Sequence, residues 1–334
     1  MNIAVETPLY PLRFAPIFQY RLWGGRNLAA WVGGALPGDG PVGEAWLLSD
    51  RADHPSRVAD GPLAGCTIAE LIARAPVAML GILADRFKRF PLLLKFLDVQ
   101  KMLSVQVHPR DDQVALLPPG DTGKTEAWVV LAASPRARIY AGLKPGTTAA
   151  DLRALTAHSA DAHLAHFTPH RGQSVLIEAG TIHSVGDGLV VFEVQENSDA
   201  TFRLYDWDHV DAATGQTRPL QVDQALDCVD YARGPVHPAV PVVESTQPAL
   251  RENLLRCPHF DVWRISGTAP FMVGAPGTPR VLVCIKGSGH VEYGGAAVAM
   301  ETGAVVLLPA ALGMCRFRPD GCIVLLELAV PLAS

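Results

Sequence analysis

Cysteine is scarce and unpatterned in this chain. The six cysteines, Cys66, Cys228, Cys257, Cys284, Cys315 and Cys322, form no CxxC pair. That excludes a zinc knuckle and a disulfide scaffold, and the simpler expectation is reduced, buried thiols in a cytoplasmic protein. Basic charge is not in excess either. With 28 Lys and Arg against 33 Asp and Glu the net charge is −5, which argues against a general nucleic-acid surface. Long hydrophobic runs are missing: the stretch from Gly303 to Met314 is short and broken by Pro309 and Gly313, so no segment is expected to span a membrane. The opening MNIAVETPLYPLRF lacks a basic region followed by an apolar core, and no secretory signal is expected. Low-complexity tracts are absent. What remains is 49% hydrophobic residues in a chain of 334, enough for a large core and about two domains.

The periodicity is mostly that of strands. Gly43–Asp50 places Glu44, Trp46 and Leu48 on one strand face, and Phe90–Leu97 reads as a buried strand. Ser174–Glu178, Leu189–Gln195 and Thr201–Tyr205 are short strands separated by Gly turns. Helical spacing occurs near 67–90, where Thr67 caps Ile68, Leu71 and Ile72, and again over 147–166 after Thr147 or Thr148. Residues 233–250 carry several prolines and read as a linker. Short strands follow at Phe260–Ser266, Arg280–Ile285, His290–Tyr293, Val305–Leu308 and Ile323–Leu328. The fold expected is mainly β, a sandwich or barrel with helical insertions over 1–235 and a second, smaller β domain over 236–334. No strand of the second domain carries two histidines, so it is expected to hold no metal.

The chemistry concentrates in Lys101–Pro109. As a strand it turns Ser104, Gln106 and His108 one way and Leu103, Val105 and Val107 the other. Gln106 and His108 can then reach one metal ion. Lys124 and Glu126 share a face farther on, and His183 follows a Gly turn in Glu178–His183. Gln106, His108, Glu126 and His183 form a mixed nitrogen and oxygen ligand set suited to one catalytic Zn²⁺ with an open position. Buried surroundings at Ala127, Trp128 and Val129 make a free Glu126 charge costly. The histidines at 158, 163, 166 and 170 are read as a solvated surface.

LLKFLDVQKMLSVQVHP, GKTEAWVVL, EAGTIHSVGDG and FEVQENSDATFRLYDWD, with GEAWLLSD before them, resemble the motifs of the type I mannose-6-phosphate isomerase family in its short bacterial form. The likeness runs over about residues 8–230 in the same order. It implies a zinc-dependent cupin (double-stranded β-helix) enzyme with a second cupin-like domain, a small-molecule sugar phosphate as partner, and a monomer or weak homodimer. It also implies interconversion of mannose 6-phosphate and fructose 6-phosphate. By the same resemblance the zinc ligands are Gln106, His108, Glu126 and His183. Arg203 matches the family's active-site arginine, and Ser104, Lys124 and Glu193 fall on active-site positions. One departure stands out: where members often carry a Lys or Arg to help hold the phosphate, this chain has His209, a weaker phosphate partner when neutral.

Aldose–ketose isomerisation moves a proton between two neighbouring carbons, commonly through a cis-enediol, and needs a general acid/base and a cation for the oxyanion. Lys124 is a candidate proton carrier and Glu193 its competitor. Arg203, always charged, is assigned electrostatic stabilisation, with pairing to Asp199 or Asp206 as the bland alternative. Ser104 and Lys101 are expected near the phosphate, and Glu44 and Trp46 at the pocket wall or in the core and rim. Rival readings are an isomerase of another phosphorylated or free sugar, and a non-catalytic metal-containing sugar-binding cupin. A metal oxygenase would prefer two His and one carboxylate without the added Gln.

Overall fold

The computed structural model describes residues 8–332; the expectation about a secretory signal rests partly on residues outside that range. The described chain is mainly β, as expected. Four sheets are formed, and every strand pair within them is antiparallel. A six-stranded sheet runs in the order Ile17–Gly25, Val42–Leu48, Leu92–Val99, Leu189–Glu196, Glu126–Ala133, Ser174–Ile177. A five-stranded sheet faces it, in the order Phe202–Tyr205, Val105–Val107, His183–Gly186, Arg138–Leu143, Leu164–Phe167. The C-terminal half repeats the plan with seven and four strands.

Strand Leu92–Val99 is buried throughout because both its faces are covered. Its even-numbered side chains, Leu92, Leu94 and Phe96, join an apolar cluster that also takes Val129 and Phe192 from neighbouring strands and Leu255, Val262 and Leu326 from the C-terminal half. Its odd-numbered side chains point into the space between the six- and five-stranded sheets. There Leu97 and Val99 pack with Trp128, Val130, Ile139, Val185 and Val191. Period-2 alternation then places Lys95 on that interior face, with Glu126, Glu193 and Gln195 by the same parity on their own strands. One end of the sandwich interior is therefore apolar and the other polar.

Contacts cross the expected 235/236 boundary: Leu12–Arg13 pairs with Val305–Leu308 in the C-terminal sheet, and one hydrophobic cluster takes residues from both halves. The expected linker contains a strand, Val242–Ser245, paired to Leu250–Arg256. Thr67 and Thr148 both make reciprocal capping boxes, with Glu70 and Asp151, so both helix starts stand. The 147–166 segment nevertheless yields only Ala149–Arg153 and Ala160–His163 as helix. Its end, Leu164–Phe167, is a strand, because the edge of Arg138–Leu143 there offers unpaired backbone groups. Helix Val222–Cys228 was not anticipated; Ala225, Leu226 and Cys228 pack behind Val105, Val107 and Leu204. All six cysteines are free, and five are buried; Cys322 is exposed. No helix among the described residues is long and apolar enough to cross a membrane.

Candidate active site

His108, Glu126 and His183 meet at the polar end of the sandwich with their ligand atoms within 4.8 Å of one another. They are only 0–1% exposed. Glu126 opens its strand in the six-stranded sheet, and His183 opens a strand in the five-stranded one, where it lies directly opposite Gln106. Gly180 provides the turn before it at φ 86°, in the left-handed region that favours glycine. Gly186 closes the same strand, and a Cβ there would lie 2.5 Å from Met102 Cα, so glycine lets the two segments approach. Only Val105–Val107 of the expected 101–109 run is a ladder strand, yet the predicted face holds: Gln106 and His108 both reach the cluster.

The histidines are oriented from behind. His108 Nδ1 lies 2.8 Å from the Ala200 carbonyl oxygen and His183 Nδ1 2.9 Å from that of Thr181. Each Nδ1–H donates to its carbonyl, which leaves Nε2 unprotonated on the side of Glu126, where the His108 Nε2 accepts from Lys124 and the His183 Nε2 from the Gln106 amide. Those Nε2 atoms stand 3.2 and 3.4 Å from Glu126 oxygens. Burial, reinforced by Lys124, pushes His108 down to about 3, and burial lowers His183 as well, so both imidazoles are neutral. Burial alone would raise the Glu126 carboxyl, but the Lys124 charge beside it outweighs burial and holds it well below the usual range. Lys124 Nζ lies 2.9 Å from Glu126 Oε2 and 3.2 Å from His108 Nε2, yet neither carboxylate oxygen finds an aligned hydrogen bond. A fully buried, ionised and hydrogen-bond-poor carboxylate flanked by two neutral imidazoles fits a divalent cation.

Above this cluster lies a cavity of about 520 Å³. Gln106 and Lys124 line its floor. Its walls hold two balanced pairs and two arginines. Arg21 grips Glu44 through both carboxylate oxygens at 2.9 and 3.0 Å. Lys95 Nζ sits 3.0 Å from Glu193 Oε2 and 2.6 Å from Gln195 Oε1, while Trp128 donates to Glu193 Oε1. Burial would lower Lys95, but Glu193 and Glu44 more than offset it and it stays charged. Burial dominates at Glu193 and raises its carboxyl against the pull of Lys95. Arg218 is held by both oxygens of Asp206. Arg203 pairs with neither Asp199 nor Asp206; its Nε is buried without a partner, and burial with the nearby Arg218 charge lowers its guanidinium. An unpaired guanidinium at a cavity wall is a seat for an anion.

Among residues proposed from sequence, Glu44, Gln106, Lys124, Glu193 and Arg203 line the cavity together. Others fall outside its lining. Trp46 is core: its indole donates to Glu44 from behind and packs beneath Lys95. Ser104 donates to Gln106 Oε1, which places it behind a ligand candidate. Lys101 is exposed at the bend after Leu92–Val99. His209 is tucked toward Asp206 at 3.9 Å, and burial lowers its imidazole. Sequence reasoning missed Arg21, Lys95 and Arg218, and named Asp199 only as an alternative partner of Arg203. Lys95 had a usable signal, a single charge in the otherwise apolar strand LLLKFL. Arg218 had none, since a loop brings it back to the cavity.

The Glu44 carboxyl gives an acid-stability prediction. Burial opposes its charge, but Lys95 and Arg21 hold it at about 2, against 4.5 when unperturbed. The folded value is depressed, so the stabilisation, about 3 kcal/mol at most, is complete above pH 4.5 and lost as pH falls toward 2. Glu44→Gln is expected to be less stable than the parent in melts at pH 6, with the gap closing toward pH 2.5. A gap independent of pH would dismiss the linkage.

A cupin-type sandwich with a buried His/Glu/His cluster under a polar cavity defines the class, a cupin enzyme whose cluster could hold a metal ion. Residues 12–127 match the family described as phosphomannose isomerase type I, catalytic domain. The chain is 33% identical over 309 residues to the probable mannose-6-phosphate isomerase GmuF of Bacillus subtilis, covering 91% of this chain and 95% of that protein. It is 32% identical over 320 residues to the mannose-6-phosphate isomerase ManA of the same organism, covering 94% and 98%. Among solved structures, the mannose 6-phosphate isomerase from Bacillus subtilis superposes with a TM-score of 0.85 at 26% identity, over 95% of this chain and 99% of that one. The fold is shared with a putative mannosephosphate isomerase from Archaeoglobus fulgidus, with a TM-score of 0.76 at 19% identity over 98% and 100% of the two chains. The chain belongs to the type I phosphomannose isomerase family.

Proposed function

We propose that this protein interconverts mannose 6-phosphate and fructose 6-phosphate in the cytoplasm, with one Zn²⁺ held by Gln106, His108, Glu126 and His183. The carrying observation is the buried His108/Glu126/His183 cluster set beneath a cavity whose wall presents the unpaired Arg203. When bound, the metal would polarise the sugar carbonyl and oppose the charge of the enediolate. Lys124 stands beside the cluster and at the cavity floor, where it can carry the proton between C1 and C2 on one face of a cis-enediol. Glu193 spends both oxygens on Trp128 and Lys95, which favours a role in holding Lys95 over that of the base. Arg203 and Arg218 supply two cations to the cavity wall for the phosphate. Arg218 thereby makes good the cation that position 209 lacks, and Asp206 keeps it in place. The free thiols agree with a reducing compartment.

A coupled assay of zinc-loaded protein with mannose 6-phosphate, beside free mannose and with a chelator, tests this reading. Turnover should require the phosphate and stop on chelation. Turnover of free mannose alone would displace the substrate. No turnover of either sugar with zinc bound would abandon the reaction.

A further inference from the structure

Lys124 is not on a ladder strand; it precedes Glu126–Ala133. Its backbone is nevertheless pinned at three successive amides. Gly123 N donates to Asp111 Oδ1 at 2.7 Å, Lys124 N to the Pro109 carbonyl at 3.0 Å, and Thr125 N to Glu196 Oε1 at 2.8 Å. Glu196 N returns a bond to the Thr125 carbonyl at 3.1 Å, and Thr125 Oγ1 accepts from Ala179 N, two residues before Thr181. The second oxygen of Glu196 is taken by a residue from the other half of the chain, His259, whose Nδ1 lies 2.9 Å from it.

His259 has a firm base. It sits in the turn where Cys257 N donates to the Phe260 carbonyl, and Phe260 is fully buried in the cluster shared by both halves. The hydrogen bond to Glu196 pushes its imidazole up, which favours the charge-assisted form. Asp111, Glu196 and His259 also have the spacing of a metal group. Each carboxylate, however, already spends an oxygen on a backbone amide, so the cluster works as a clamp on residues 123–125.

We propose that His259 is a positioning residue for the isomerisation: the C-terminal half holds Glu196 through it, and Glu196 holds Thr125 so that Lys124 and Glu126 keep their aim. This rests on Lys124 as the proton carrier. It gives the second β domain a part in the reaction without a contact to substrate. A group that orients a catalytic side chain is worth about ten- to a hundredfold in rate.

The test uses the full zinc-loaded chain. His259→Ala is expected to lower kcat about tenfold, leave KM for mannose 6-phosphate within about twofold, and keep one zinc per chain. Amide exchange should accelerate locally at Thr125. His259→Asn, which restores an N–H near the Nδ1 position, should recover most of kcat. In a Glu196→Ala background, His259→Ala should add nothing. Parental kcat and parental Thr125 exchange in His259→Ala would overturn the proposal, as would an undiminished loss in the Glu196→Ala background. So would a general fall in stability that His259→Asn fails to relieve. Should the parent protein not turn over mannose 6-phosphate at all, the proposed reaction fails instead, and Thr125 exchange still decides the His259 contact.

Discussion

Lys124→Ala is expected to lower kcat for mannose 6-phosphate by about 10²–10⁴-fold, the range spanned by general acid–base groups, while the protein keeps a full equivalent of zinc. Metal retention follows from the geometry. His108 and His183 are oriented by the Ala200 and Thr181 carbonyls, and neither contact involves the lysine. The side chain is nearly fully buried, so its loss leaves a small cavity beside Glu126 and costs some stability. A stability loss does not reduce kcat of the folded fraction, and the two effects separate when folded protein is titrated. Lys124→Arg sharpens the reading: it keeps a positive charge but cannot give up a proton at working pH. If Arg restored kcat, Lys124 would act only as a charge; if alanine left kcat within a few-fold of the parent, the proton carrier would lie elsewhere, with Glu193 next in line.

Glu126→Gln is expected to remove stoichiometric zinc and reduce turnover to near background, a fall of more than about 10³-fold. The change is nearly isosteric but takes the only anion from the His108/Glu126/His183 cluster, leaving neutral donors. The thermal signature is more specific than the activity loss. Zinc at a thousand times its Kd stabilises a folded protein by about 4 kcal/mol, so the parent should melt lower once chelated. Glu126→Gln should show almost no chelator effect. Without metal it need not be less stable than the parent, because it no longer buries a carboxylate without aligned hydrogen bonds. Calorimetry with and without chelator, alongside metal analysis, checks both statements. A variant that still bound one zinc per chain and melted lower on chelation would place the metal elsewhere.

The His108/Glu126/His183 cluster and its neighbour Gln106 were legible because each residue obeys a local rule. Gln106 and His108 share a strand parity, Glu126 opens an apolar strand that would not tolerate a lone carboxylate, and His183 follows a glycine turn. The β character was legible for the same reason, since period-2 alternation survives wherever one face of a strand meets the core. The misses are non-local. Leu164–Phe167 looked helical from its neighbours and became a strand because Arg138–Leu143 had an edge to fill. Leu12–Arg13 joined the far half of the chain because its partner, Val305–Leu308, lies almost the whole sequence away.

Sequence by itself determined that donors at His108, Glu126 and His183 can gather in one cluster, and that position 209 is a histidine, not a permanent cation. Tertiary structure alone decided what surrounds them. Arg218 reaches the cavity wall by a loop, Lys95 is charged because Glu44 and Glu193 converge on it from neighbouring strands, and His259 meets Glu196 across two halves of the fold. Ligand spacing depends on backbone period, which a few residues encode. Electrostatic partners depend on distances between segments far apart in the chain, which only the packed sheets set.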